Sequence, residues 1–413
     1  MNMTGKLMRE RFGQVELYSN EEYLRRWALA RSVLDEQDVD ILLIVDCTRE
    51  GHDTWFTGRK YVDTVIVPRD DVIYAILHRE YDEKVFPGRL DSVDYRRYVK
   101  QRAPEIKREG LRYVNDPGAN GIAELISRYA PKRIGLVNCR LLTHDLKTAL
   151  NTKMPGVPLI DVKQALDIKK TVKSKEELAS LRFASCAHEQ LTEALKYIIR
   201  PGRSMSAINS EAREYLMGLG ATGDLHAFIG YLGKQDEPCT NFGPGDQIVR
   251  YGDRLRTIYE SNSYGGHHTA MGRHITVGPA TESYKKAVGY AAELNLFAAS
   301  MMKPGNTLGQ IRRATEEKAK ADGTRLTRMC WMHGLTTDGY YEQFALNDYG
   351  MEWPLVEGAV LHCHPVHIRY FPELGPDASE PLLLLNNYVC TKEGGMSLVS
   401  LQKRPFDIIE IDC

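Results

Sequence analysis

The sequence predicts an α+β protein of two domains, residues 1–166 and 167–413. Three observations lead there. Short apolar runs alternate with helical periodicity from Asn20 to Leu166. A charged stretch (Asp167, Lys169, Lys170, Lys173, Lys175) then precedes a long helix with its own start signal. After it, one helix–turn–helix–strand pattern occurs twice.

In the first half, Glu21–Gln37 has a helical stripe of Tyr23, Trp27, Ala30 and Leu34. Asp40–Val45, rich in Ile, Leu and Val, predicts a buried strand. Tyr61–Pro68 and Val72–Leu77 flank Arg69-Asp70-Asp71 as a hairpin. Asn120–Tyr129 predicts a second helix and Ile134–Val137 a further strand, giving a mixed sheet with helices on its faces.

In the second half, Ser174 and Glu177 have the spacing of a capping box, starting a helix that runs to about Ile199. Its stripe is Leu178, Leu181, Ala184, Leu191 and Leu195. Ile199-Arg200-Pro201-Gly202 is matched by Met302-Lys303-Pro304-Gly305, and Ile208 and Ile311 each follow the glycine by six residues. Pro and Gly stop one helix and turn the chain into the next. The strand segments Leu255–Ser261 with Met271–Val277, then Ala359–His364 with Leu382–Val389, complete a pseudo-two-fold α+β domain.

A formal charge of -1 over 413 residues leaves no electrostatic footprint for nucleic acid or an anionic membrane surface. No apolar run approaches a membrane span, and Met1 to Val15 lacks the apolar core of a signal peptide. The eight cysteines are scattered without a CxxC, so the expectation is reduced thiols in a cytoplasmic protein.

Several segments then carry a resemblance. Ile168-Lys169-Lys170-Thr171-Val172-Lys173-Ser174-Lys175-Glu176-Glu177, Gly252-Asp253-Arg254-Leu255, Gly265 to Arg273, His333-Gly334-Leu335 and Glu357-Gly358-Ala359-Val360 resemble, in order and spacing, the creatinase/prolidase/aminopeptidase P family. Trp55-Phe56-Thr57-Gly58 resembles its N-terminal domain. The resemblance implies a pita-bread catalytic domain behind a smaller α/β domain. It also implies a homodimer in which the N-terminal domain, here through Arg59 or its loop, lends residues to the neighbour's cleft.

Family peptidases hold two divalent metals with two aspartates, a histidine and two glutamates, and the metals activate a water. Carried onto this chain, the second aspartate position is Ala270, and the first is Tyr259 or, with a one-residue gap, Glu260. The histidine is kept as His333. One glutamate position is His364, and the other falls near Leu385, with Asn386 and Asn387 adjacent. The resemblance therefore points to the metal-independent creatinase branch, without being creatinase itself. That enzyme's catalytic histidine falls at about Asn241, and a partner glutamate at Gly272.

The polar groups left near these positions define the expected site. His333, His364, Glu260 and His268 are the candidates for proton transfer. His267, His362, Tyr340, Tyr259, Arg59 and Arg369 are the candidates for substrate contact. His362 and His364, two apart, share a strand face, whereas His267 and His268 oppose each other and Cys363 looks away from the histidines. His274 is expected to be structural. The expected activity is hydrolysis of a non-peptide C–N bond in a small polar metabolite, without metal or other cofactor. The alternatives are C–X elimination, for which the family's dimethylsulfoniopropionate lyase branch is a precedent, a single-metal site of His333, His364 and Glu260, and a non-catalytic binding module.

Overall fold

The computed structural model describes residues 18–45, 47, 52–58, 62–77, 108–219, 222–239, 246–262, 267–326, 331–334, 352–399 and 406–412, with the backbone alone at 222–228, 262, 268 and 331–334. These residues form two compact units that part between Lys170 and Thr171.

The first unit contains α1 (Asn20–Glu36), β1 (Ile41–Ile44), α2 (His52–Thr57), β2 (Val62–Pro68), β3 (Ile73–Leu77), β4 (Leu111–Asn115), α3 (Gly118–Ser127), β5 (Ile134–Val137), α4 (His144–Lys153), β6 (Leu159–Asp161) and α5 (Lys163–Thr171). Its sheet runs β4-β3-β2-β1-β5-β6, and the expected hairpin is the antiparallel β2–β3 pair. β1 is apolar throughout because both its faces are covered. Leu42 and Ile44 pack into the core with Tyr23, Trp27 and Val33 of α1, while Ile41 and Leu43 pack with Ile122, Ile126 and Leu150 of α3 and α4. Ser19 caps α1 by accepting the Glu22 N–H at 3.1 Å. Arg26 is buried inside the unit, paired with Glu22 at 2.7 Å and stacked 4.1 Å from the Tyr18 ring centre.

The second unit contains α6 (Lys175–Ile198), α7 (Met205–Gly218), β7 (Thr222–Lys234), β8 (Asp253–Asn262), β9 (His268–Met271), β10 (His274–Val277), α8 (Glu282–Ser300), α9 (Leu308–Ala321), β11 (Trp331–Gly334), β12 (Val360–His364), β13 (Val366–Tyr370), β14 (Ser379–Leu383), β15 (Asn386–Thr391), β16 (Gly394–Ser397) and β17 (Ile409–Ile411). The capping box is formed: Ser174 Oγ accepts the Glu177 N–H at 3.1 Å, and Glu177 accepts the Ser174 N–H at 2.9 Å. The two segments expected as single strands near the site are each split. A break at Gly272-Arg273 separates β9 from β10, and one at Leu384-Leu385 separates β14 from β15.

The internal repeat is visible in backbone geometry. Gly202 and Gly305 have φ of +86° and +91°, a region that suits glycine. Their N–H groups donate to Val249 O and Leu355 O, both at 2.8 Å. Ser204 and Thr307 then cap α7 and α9, and each forms an isolated bridge, to Ile248 and Pro354. Each half contributes a helix pair and a sheet: β17-β10-β8-β7 with β9 paired to β8, and β11-β12-β15-β16.

Candidate functional site

β8 sorts its side chains by parity. Leu255 and Tyr259 join the core made by α6 and α7, with Met271 and Ile275. Arg254, Arg256, Ile258 and Glu260 therefore take the other face. Along that face the environment changes from ionic to apolar to polar.

The ionic end is closed by salt bridges. Arg254 grips Glu380 with both Nη atoms, at 2.5 and 2.6 Å, and Arg369 Nη1 adds a third contact at 3.3 Å. All three are buried, and Arg369 also donates to Gln235 O and Ser283 Oγ. His274 lies between Tyr284 OH at 2.6 Å and Leu383 O at 2.9 Å. Burial, followed by the charge of Arg256, lowers its pKa to about 3, so it is neutral. The His367 ring stands edge-on to Tyr290, and burial with Arg369 nearby lowers its pKa to about 4.

Next comes an apolar layer of Val366, Leu383 and Leu385, against which Ile258 packs. Leu385 occupies the space over Gly272, where a Cβ would fall 2.2 Å from Leu385 Cδ1. Two main-chain bonds tie Gly272 to Leu385 and join the two sheets there. Arg273 Nη1 reinforces the join by donating to Gly272 O at 2.9 Å and Leu385 O at 2.7 Å.

The polar layer is a single row of residues. Glu260 pairs with Ala270 across β8–β9, His362 with Asn387 across β12–β15, and His333 with His362 across β11–β12. Asn387 joins the two halves of the row. Its Nδ2 donates to Ala270 O at 2.7 Å, and its Oδ1 accepts the Ala270 N–H at 3.3 Å. His362 Nδ1 lies 3.0 Å from the same Oδ1. The His362 and His364 ring centres are 4.7 Å apart, with His362 buried and His364 half-buried. Glu260 is half-buried, and burial pushes its pKa up to about 7.

The row thus assembles Glu260, His362 and His364, with His333 at the adjoining register position. His268 lies on the β9 strand two residues before Ala270, opposite Asn262. The register selects Glu260, not Tyr259, as the residue facing Ala270. Tyr259 turns to the helix side, buried with its ring 5.7 Å from that of His188. His267 also lies behind the sheet, with Nε2 3.4 Å from Glu177 of α6. Arg369 is engaged in the ionic layer. Arg59 and Tyr340 lie outside the described residues.

Two residues of the site are not marked by sequence patterns. For Asn387 the available signal is an amide beside an emptied ligand position. His188 on α6 bonds Ser261 Oγ at 2.7 Å and is buried. Nothing in its helical context marked it.

The residues do not fit a pair of metal ions. At the positions carried over from the family, Ala270 offers no donor and Leu385 an aliphatic chain packed on Gly272. Among the described residues, no group of three or more His, Cys, Asp or Glu side chains is placed to hold a metal.

The fold and the order of its site strands define a pita-bread protein. The model of metallopeptidase family M24 matches residues 179–392, just over half of the chain. The chain belongs to that family, a family of hydrolases. It is 23% identical over 328 residues to an uncharacterised hydrolase/peptidase of Sinorhizobium fredii, covering 74% of this chain and 78% of that one. Among solved structures, the X-Pro aminopeptidase of Thermotoga maritima is similar with a TM-score of 0.70 at 16% identity, covering 93% and 99% of the two chains. The N-terminal domain of FACT complex subunit SPT16 from chickpea, Cicer arietinum, is similar with a TM-score of 0.67 at 13% identity, covering 94% and 98%. No helix among the described residues is long and apolar enough to cross a membrane.

Proposed function

We propose that this chain is a metal-independent, creatinase-like hydrolase that cleaves a non-peptide C–N bond in a small polar metabolite. The observation carrying the reading is the row Glu260–Ala270–Asn387–His362, with His364 beside it. It keeps groups able to transfer protons where two ligand positions of the family have become Ala270 and Leu385. The relatives from Sinorhizobium fredii and Thermotoga maritima are named a hydrolase/peptidase and an aminopeptidase, which supports hydrolysis. The altered donor set supports a different way of activating water.

In this reading an imidazole, of His364 or His333, takes a proton from water as the water oxygen bonds to the substrate carbon. Glu260, half protonated near pH 7, supplies a proton to the departing nitrogen as the C–N bond breaks. When ionised, Glu260 pairs with the imidazolium or with a substrate cation. The protein acts in the cytoplasm as a homodimer.

The test is a thermal-shift screen of guanidino, amidino, betaine and cyclic amide metabolites, followed by product analysis in ¹⁸O-labelled water. Label in the product supports hydrolysis. An unsaturated product without label assigns the site to elimination instead.

A further inference from the structure

We propose that Asn387 is a positioning residue that holds His362 as the Nδ1–H tautomer, leaving the ring's lone pair on Nε2. The orientation of the Asn387 amide is set by two main-chain groups whose roles are not interchangeable. The Ala270 N–H can only donate and the Ala270 carbonyl can only accept. With Nδ2 2.7 Å from that carbonyl and Oδ1 3.3 Å from that N–H, a flipped amide would set donor against donor and acceptor against acceptor.

Oδ1 is therefore the atom that faces His362 Nδ1 at 3.0 Å. An amide oxygen cannot donate, so Nδ1 must carry the proton. In a neutral imidazole the other nitrogen is then the base, because the bond made by one ring nitrogen decides the state of the other. Asn387, His362 and Ala270 are all buried. The ring so fixed lies 4.7 Å, centre to centre, from that of half-buried His364. In the proposed reaction His362 then offers Nε2, and not Nδ1, as a proton acceptor. That last consequence rests on the hydrolase reading, whereas the tautomer does not.

The experiment is a two-bond ¹H–¹⁵N correlation spectrum of histidine-labelled protein at neutral pH. The signals of His362 are assigned by their loss in His362→Gln. The expected spectrum gives His362 a pyrrole-like Nδ1 and a pyridine-like Nε2. The reverse pattern in the wild type overturns the proposal. Asn387→Asp keeps an acceptor opposite Nδ1, so Nδ1 should stay protonated and pyrrole-like. Asn387→Leu should shift it toward the Nε2–H form, and an unchanged tautomer there also overturns the proposal. Should the leucine variant fail to fold, the wild-type and aspartate spectra decide. A His362 tautomer that follows Asn387 in a protein inert toward all four substrate classes would sink the hydrolase reading and leave this inference standing.

Discussion

Asn387 on β15 binds both main-chain groups of Ala270 on β9, and so bridges the two sheets with one side-chain amide. Asn387→Leu would strand a buried N–H and a buried carbonyl. Lost bonds of about 1 kcal/mol each, with the desolvation of unsatisfied groups, predict a stability loss of about 2–4 kcal/mol. Denaturant unfolding checks this, and a loss below about 0.5 kcal/mol would show that the bridge carries no load.

Glu260 gives the protein a signed pH dependence. Burial raises its folded-state pKa to about 7, above the ordinary carboxyl value. The folded protein therefore holds this proton more tightly than the unfolded chain does. Stability falls as pH rises from the ordinary value through about 7, then levels off. Glu260→Gln should match the wild type near pH 4. At pH 8 it should be more stable, by on the order of 1–2 kcal/mol after allowance for its partial exposure. Parallel stability curves for the two proteins from pH 4 to pH 8 would refute the buried-carboxyl assignment.

Purified protein is expected to lack stoichiometric zinc, manganese, iron or cobalt, and chelator treatment should leave its melting temperature unchanged. The reason is the donor set, with Ala270 and Leu385 at two family ligand positions. Elemental analysis near one metal per chain would support the single-metal alternative through His333, His364 and Glu260. Two metals per chain would overturn the placement of the site.

His364→Ala and His333→Ala should each lower turnover about 10²–10⁴-fold, the usual size of a general acid–base contribution. Both should keep the fold, since trimming an imidazole at a polar face costs less than opening a core cavity. His274→Ala is the contrasting case, because that ring is neutral, buried and bonded to Tyr284 and Leu383. It should lose stability and retain activity per folded molecule. The opposite pattern in a paired melting and turnover assay would move the chemistry to the ionic end of the face.

Glu380→Ala should destabilise the second unit by about 3–5 kcal/mol, because it leaves the buried guanidiniums of Arg254 and Arg369 without their shared carboxylate. A thermal melt within about one degree of wild type would show that these charges find other compensation.

Several elements are legible in the sequence alone, although the breaks that part β9 from β10 and β14 from β15 are not. The β1 run, the Ser174–Glu177 box and the paired Pro-Gly turns are local signals, because periodicity, capping and positive φ act within a few residues. The shared face of His362 and His364 was legible for the same reason, as strand side chains alternate with period two. Tertiary structure decided which distant residues meet. Only the β8–β9 register shows that Glu260, not Tyr259, faces Ala270, since a one-residue slip exchanges the two faces. Only packing places His267 on Glu177 and Arg369 on Glu380. The Asn387 bridge joins residues 117 apart in the chain, and its strength comes from burying an amide against main-chain groups of another strand. Such complementarity has no period or spacing, so it exists only once the two sheets are brought together.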